Sequence, residues 1–155
     1  MFKEMRRTDR AISAEMIYET LKTGMEGVFV TSGENGYPTA TPFNYVVIDK
    51  DIYVHCFGKS SNTKDNVQFN EKASFTYVGD TKLLPDEFVC NYISIMAFGT
   101  AKIIESEEKR EVLREFIRKY SPLILEKGFA HVDEEIGKTV VIKLNVEYIT
   151  GKQRK

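Results

Sequence analysis

The stretch from Phe88 to Ala101 carries no charged side chain and is built of β-branched, aromatic and small residues. It is too short to cross a membrane as a helix, and its composition suits a pleated strand. With its continuation it predicts one long strand, Cys90 to Ile104, bent near Gly99. Alternation puts Tyr92, Ser94 and Met96 on one face and Ile93, Ile95 and Ala97 on the other. One face is then core. The other is a dimer contact, a wall for a planar ligand, or plain packing.

Other segments supply further strands. Val28–Thr31 reads as a strand, and Asn35-Gly36 between apolar runs is a hairpin signal because both residues tolerate positive φ. The return strand covers Thr39 to Ile48, and Pro42, lacking a backbone donor, belongs at an edge or a bulge. Ile52–His55 and Ala73–Val78 are the third and fourth strands, and residues 79–87, with Pro85, read as a loop. The last strand alternates, with Val140, Ile142, Leu144 and Val146 opposite Lys143, Asn145 and Glu147. The basic tail from Gly151 to Lys155 reads as loose.

Helices are fewer. Ser13 caps one that runs to Thr23, and residues 63–69 suggest a short second. The clearest opens at Ser106, with Val112, Leu113, Phe116, Ile117 and Tyr120 at helical spacing and Pro122 closing it. Residues 123–137 are ambiguous, with a helical leaning. Six or so strands joined mostly by hairpins, with two to three peripheral helices, predict a mainly β, antiparallel barrel. Residues 1–155 are one domain's worth of chain.

Twenty-two basic and 23 acidic residues nearly cancel, which argues against nucleic acid or an anionic membrane as partner. Two cysteines, Cys56 and Cys90, do not make a disulfide framework, and Met1 to Arg10 lacks a signal-peptide pattern. The expected location is the cytoplasm, and Arg6, Arg7 and Arg10 read as a solvated arm.

The most chemical stretch is Gly58-Lys59-Ser60-Ser61-Asn62-Thr63-Lys64, which follows a strand and precedes a helix start. Two ammonium groups, three hydroxyls and free N–H groups at a helix end suit a phosphate; a solvated loop is the other reading. It is not a Walker A loop, since Tyr53 stands where that motif needs glycine. His55 and Cys56 point to opposite faces, so they do not share a metal, and no metal site is expected. His55 is either a structural histidine or a group that bonds a ligand or exchanges a proton beside that loop. No G-x-S-x-G elbow supports a serine hydrolase.

Several segments together carry a resemblance. They are Met5-Arg6-Arg7-Thr8-Asp9-Arg10, Gly36-Tyr37-Pro38, Thr41-Pro42-Phe43-Asn44-Tyr45-Val46, Ile52 to Cys56, Tyr77 to Pro85, Asn91-Tyr92, Phe98-Gly99 and Ile149 to Lys152. In this order and spacing the chain resembles the nitroimidazole-resistance (Nim-like) branch of the pyridoxamine 5'-phosphate oxidase-like split barrels. The resemblance implies an FMN-binding split barrel that dimerises with the cofactor at the interface. It implies phosphate contacts from Lys59, Ser60, Ser61, Asn62 and Lys64, and a flavin-facing strand with Thr41, Pro42, Asn44, Tyr45 and Val46. His55 becomes the catalytic or substrate-orienting group, with Cys56 and Asn66 nearby and Tyr92 and Ser94 approaching from the partner. The loop departs in length and spelling from the commoner G-x-K-x-D-N form, and Ile93 stands where a polar residue is common. The chain also lacks the R-L-x-P type ending of true pyridoxamine phosphate oxidases, which argues against B6 oxidation. The implied activity is reduction of a small planar acceptor, nitroaromatic in type, with electrons from NAD(P)H or another donor. The rivals are a split barrel using F420 or haem, a non-catalytic flavin carrier or sensor, and a vestigial site.

Overall fold

The computed structural model describes residues 2–58 and 61–155. Six strands close into one antiparallel barrel: β1 (Glu26–Ser32), β2 (Pro38–Ile48), β3 (Asp51–Phe57), β4 (Lys72–Leu84), β5 (Val89–Ile104) and β6 (Thr139–Arg154). Around the barrel their order is β1-β2-β3-β6-β5-β4. Four helices accompany them, against the two to three expected: α1 (Ala14–Thr23), α2 (Asn62–Phe69), α3 (Ser106–Tyr120) and α4 (Leu125–Glu135). The fourth is the segment whose pattern was ambiguous. No helix among the described residues is long and apolar enough to cross a membrane.

The inward faces of the strands form the core. Phe29, Tyr45, Ile52, Val54, Phe75, Ile95, Ile142 and Leu144 are fully buried there. The α1 side chains Ile17 and Leu21 join this core, and so does Val67 of α2. Ser13 caps α1 as the sequence predicts, accepting from the Met16 N–H. Outside the wall, Val112, Leu113 and Phe116 of α3 and Val132 of α4 pack on Val46, Tyr53, Ile104 and Val141. These strands are therefore apolar on both faces where the helices cover them.

Pro42 lies where β2 pairs with β1 alone, because pairing with β3 begins only at Tyr45. At Gly99 the β5–β6 register shifts, and a Cβ there would collide with the Asn145 carbonyl oxygen. The bend read from the sequence thus has a steric cause.

Three expectations are corrected. Residues 79–87 are not a loop: β4 continues to Leu84, after a register shift between Gly79 and Lys82, and pairs with the start of β5. Only Pro85–Glu87 turns, as a short 3-10 segment. The polar Asp80-Thr81-Lys82 run marks a bulge, with Asp80 at φ 50°, and not a strand end. The basic tail is not loose either, since Gly151 to Arg154 pair with Tyr92 to Ile95. The long strand β5 needs those backbone partners. Finally, the N-terminal segment is not a solvated arm. Phe2 stacks on Tyr148 with ring centroids 4.7 Å apart, Arg7 pairs with Asp9, and Ala11 bridges to Lys152.

Candidate functional site

His55 lies on β3 next to Val141 of β6, on the outward face of the wall. Its ring meets Phe116 of α3 edge-on, at 4.4 Å between centroids. Its Nδ1 is buried and has no hydrogen-bond partner. Burial lowers the imidazole pKa below its ordinary value, which favours the neutral ring near pH 7. A buried polar atom without a partner is costly, so this one needs a reason. The residue lines a cavity of about 260 Å³ between the barrel wall and the α3–α4 pair.

The cavity joins residues far apart in sequence. Asn44 of β2 and His55 form part of the wall, and Phe116, Tyr120 and Ser121 come from α3 and its end. His131 and Glu135 come from α4, and Thr139 opens β6. Both histidines of the chain therefore line one cavity. Asn44 and His55 are legible from the sequence. Phe116 and Tyr120 read there only as helix core. His131 and Glu135 go unrecognised, because their segment has no clear pattern and an isolated histidine carries no motif. No cluster of three or more histidine, cysteine or acidic groups fit to hold a metal occurs among the described residues.

A polar clamp fixes β2 beside the cavity. The Tyr120 hydroxyl lies 2.8 Å from the carbonyls of Met25 and Tyr45 and accepts from the Tyr45 N–H at 2.9 Å. Lys119 donates to the same Tyr45 carbonyl at 2.9 Å and sits 4.2 Å from the Tyr45 ring centre. Burial pulls the Lys119 ammonium down to about 8. These contacts satisfy backbone groups at the point where β2 leaves β1 for β3.

The other residues expected at the site fall into separate groups. Pro42 is exposed, while Thr41 is half-buried on the inward face it shares with Phe43. The Tyr45 side chain lies in the core, packed edge-on to Phe75, and its hydroxyl is buried without a partner. Its backbone groups are held by the clamp, which leaves neither side chain nor backbone open to a ligand. The Val46 side chain is buried under α3. Cys56 is a half-buried free thiol.

Lys59 and Ser60 lie outside the described residues. Gly58, at φ 91°, ends β3 in a conformation that favours glycine. Ser61 caps α2 by accepting from the Lys64 N–H. Asn62 is exposed at the helix start, and Lys64 is half-buried. Asn66 donates to the Thr31 hydroxyl at 3.0 Å and covers Gly33, so it locks α2 onto the barrel.

Tyr92 and Ser94 face outward on β5, in line with Met96, half-buried beside the N-terminal segment, whose Lys3 and Met5 line a groove with Ser94 and Met96. The Tyr92 phenol is held below its usual pKa, first by a hydrogen bond from Arg10. The alternation read in β5 holds: Ile93, Ile95 and Ala97 are buried, and Met96 on the other face is 45% exposed.

The architecture recurs in solved structures. A conserved hypothetical protein of Mycobacterium tuberculosis superposes with a TM-score of 0.83 at 20% identity, covering 97% of this chain and 90% of its own. The flavocytochrome Anf3 of Azotobacter vinelandii gives 0.84 at 23% identity, over 98% and 72%. A candidate 5-nitroimidazole antibiotic resistance protein of Bacteroides thetaiotaomicron gives 0.77 at 23%, over 92% and 86%. At these identities the likeness is one of fold. Among curated proteins none matches by sequence. The sequence profile of the family described as pyridoxamine 5'-phosphate oxidase matches residues 13–153, nearly the whole chain. With the barrel it describes now in view, this chain belongs to the pyridoxamine 5'-phosphate oxidase family.

Proposed function

We propose that this protein is a flavin-dependent oxidoreductase, with FMN as the cofactor, that reduces a small planar acceptor of nitroaromatic type. The observation that carries the reading is the end of β3, where an unpartnered imidazole beside a cavity runs directly into a lysine- and hydroxyl-rich segment that starts a helix. That segment suits the phosphate of a flavin mononucleotide through charge, hydroxyls and helix N–H groups. Ser61, Asn62 and Lys64 belong to it, as do Lys59 and Ser60 by sequence. The exposed outward positions Pro42 and Asn44 suit the flat ring system. A flavocytochrome and a candidate nitroimidazole resistance protein among the similar folds favour the same reading.

The flavin, when bound, supplies the electron transfer. The chain's own part is to bind, orient and handle a proton. His55, kept neutral by burial, can donate or accept one at the edge of the cavity. The Tyr120–Lys119 clamp keeps β2 in place beneath it.

We extend the reading to a homodimer. A cavity of about 260 Å³ is below the roughly 300–1,000 Å³ of pockets that enclose drug-sized ligands. That cavity therefore does not by itself surround a flavin, and in this reading the outward face with Tyr92 and Ser94 of a second copy offers the other wall. NADH, NADPH or another reductant is the electron source in this reading, and the compartment is cytoplasmic.

The test is a cofactor spectrum of the purified protein, chromatography of what it releases on denaturation, and anaerobic reduction with NADH and NADPH. Yellow protein releasing FMN, reduced by a nicotinamide and reoxidised by a nitroaromatic, is the expected result. Protein that takes up no flavin overturns the reading. A Soret band or an F420 spectrum replaces the cofactor, and bound flavin without turnover makes the protein a carrier or sensor.

A further inference from the structure

We propose that the cavity between the barrel wall and the α3–α4 pair is a binding site for a small, neutral heteroaromatic ring that carries an N–H donor. As the seat of the electron acceptor it rests on the oxidoreductase reading above. As a binding site it does not.

Size comes first. An apolar cavity of about 150 Å³ admits benzene, and this one measures about 260 Å³. It has room for one substituted ring or a small fused pair, and none for a dinucleotide. Leu113, Phe116, Ile117 and Val132 give it an apolar lining, which suits a flat ring.

The polar groups decide which ring. No lysine or arginine lines the cavity among the described residues, so it is a poor seat for an anion. Several donors at its edge are already committed. Asn44 turns its amide N–H to the Met25 carbonyl at 3.0 Å, and Thr139 donates to the Glu135 carbonyl at 3.0 Å. Tyr120 is taken up by the clamp. The acceptors remain: the Asn44 side-chain oxygen, the Thr139 hydroxyl oxygen and the Glu135 carboxylate. Lys138 meets that carboxylate at 3.2 and 3.3 Å and leaves it further lone pairs. The imidazoles of His55 and His131 and the Ser121 hydroxyl can serve either way. An acceptor-rich wall whose one neighbouring cation, Lys138, is tied to Glu135 selects a ligand that donates. His131 and Glu135, four residues apart on α4, are then specificity-determining residues.

Benzimidazole and 1-methylbenzimidazole test this, because they share a ring system and differ in the N–H. Binding to the full chain is followed through the imidazole resonances of the only two histidines. Benzimidazole should shift both, saturably, and bind at least about tenfold more tightly than its N-methyl analogue, as a hydrogen bond to a charged acceptor implies. Glu135→Gln should reduce that preference to less than about threefold, and Ser121→Phe should block binding. The Gln variant replaces a half-buried side chain isosterically, so it reads out even where the Phe variant does not fold. Equal affinity for the two probes overturns the ligand class, and unmoved histidine resonances overturn the site. Flavin-loaded protein whose histidines ignore benzimidazole sinks this inference and leaves the oxidoreductase reading standing. Ring binding by protein that takes up no flavin does the reverse.

Discussion

Over Val46, Tyr53, Ile104 and Val141 the outside of the barrel is sealed by α3 and α4. Val28 and Val30 of β1, Ser74 and Thr76 of β4, and Ser94 and Met96 of β5 lie outside that seal, and Lys3 and Met5 of the N-terminal segment line a groove with Ser94 and Met96. Only β5 runs through both halves, and along it the outward side chain changes from Ser94 and Met96 to Ile104. The sealed half presents large apolar groups that continue the hydrophobic pattern through the wall. The bare half presents short hydroxyl and β-branched residues, with Met96 and Val78 well exposed. The sealed half stabilises the protomer, and the other half is the face on which the proposed dimer would form. Asn44 and His55 stand at the border, with the sealed half's cavity beside them.

The comparison breaks first on Phe116. This α3 ring is buried between His55 and Tyr120. Phe116→Ala should cost about 3–5 kcal/mol, read as a lowered urea midpoint. A loss under about 1 kcal/mol would mean that the helices contribute little to holding the barrel.

Next comes Tyr120→Phe. It removes the hydroxyl that serves Met25 and Tyr45 while keeping the ring packed on Phe116. The expected cost is about 1–3 kcal/mol, because backbone groups lose their partner. Amide exchange at Tyr45 should quicken more than at Phe29, which lies within the β1–β2 ladder.

These two residues also mark what a linear reading reaches. Helical spacing in α3 is strong enough to place Phe116 and Tyr120 toward the core. It says nothing of the Tyr120 hydroxyl reaching the gap between β1 and β2, since that depends on how the chain closes. Alternation places Ile93, Ile95 and Ala97 inward correctly, because a half-covered strand keeps period two. Polar residues at a bulge look like a loop, so the extension of β4 past Gly79 is lost. Asn66 shows the limit at the site. By resemblance it is a cofactor residue, and its donated hydrogen bond to Thr31, which holds α2 on the barrel, is a further role that the sequence does not announce. His131 and Glu135 reach the cavity only through the packing of α4, which no local signal announces.

The third way to sharpen the comparison is pH. Burial lowers the His55 pKa in the folded chain relative to about 6.5 unfolded. Below 6.5 the unfolded chain therefore binds the proton more readily. Stability should be flat above about pH 7 and fall as pH drops toward the folded pKa, at no more than about 1.4 kcal/mol per unit from this group. His55→Gln should flatten the slope between pH 7 and 5. An unchanged slope would mean that the imidazole is not held neutral against the sealed wall.

The smallest effect on the protomer is expected on the bare half. Met96 is 45% exposed and faces away from the core. Met96→Lys adds a charge where water already reaches, so the urea midpoint of a dilute sample should stay within about 0.5 kcal/mol. Association is where the change should register. If this face meets a second copy, an ammonium buried there without a counter-charge costs far more than an exposed one. Sedimentation velocity should then show the wild-type dimer replaced by protomers, with flavin retention falling alongside. A variant as dimeric as the wild type would move the interface off β5, and Tyr92 and Ser94 with it. Loss of folding stability in the dilute protomer would mean instead that the bare half contributes to the fold as the sealed half does.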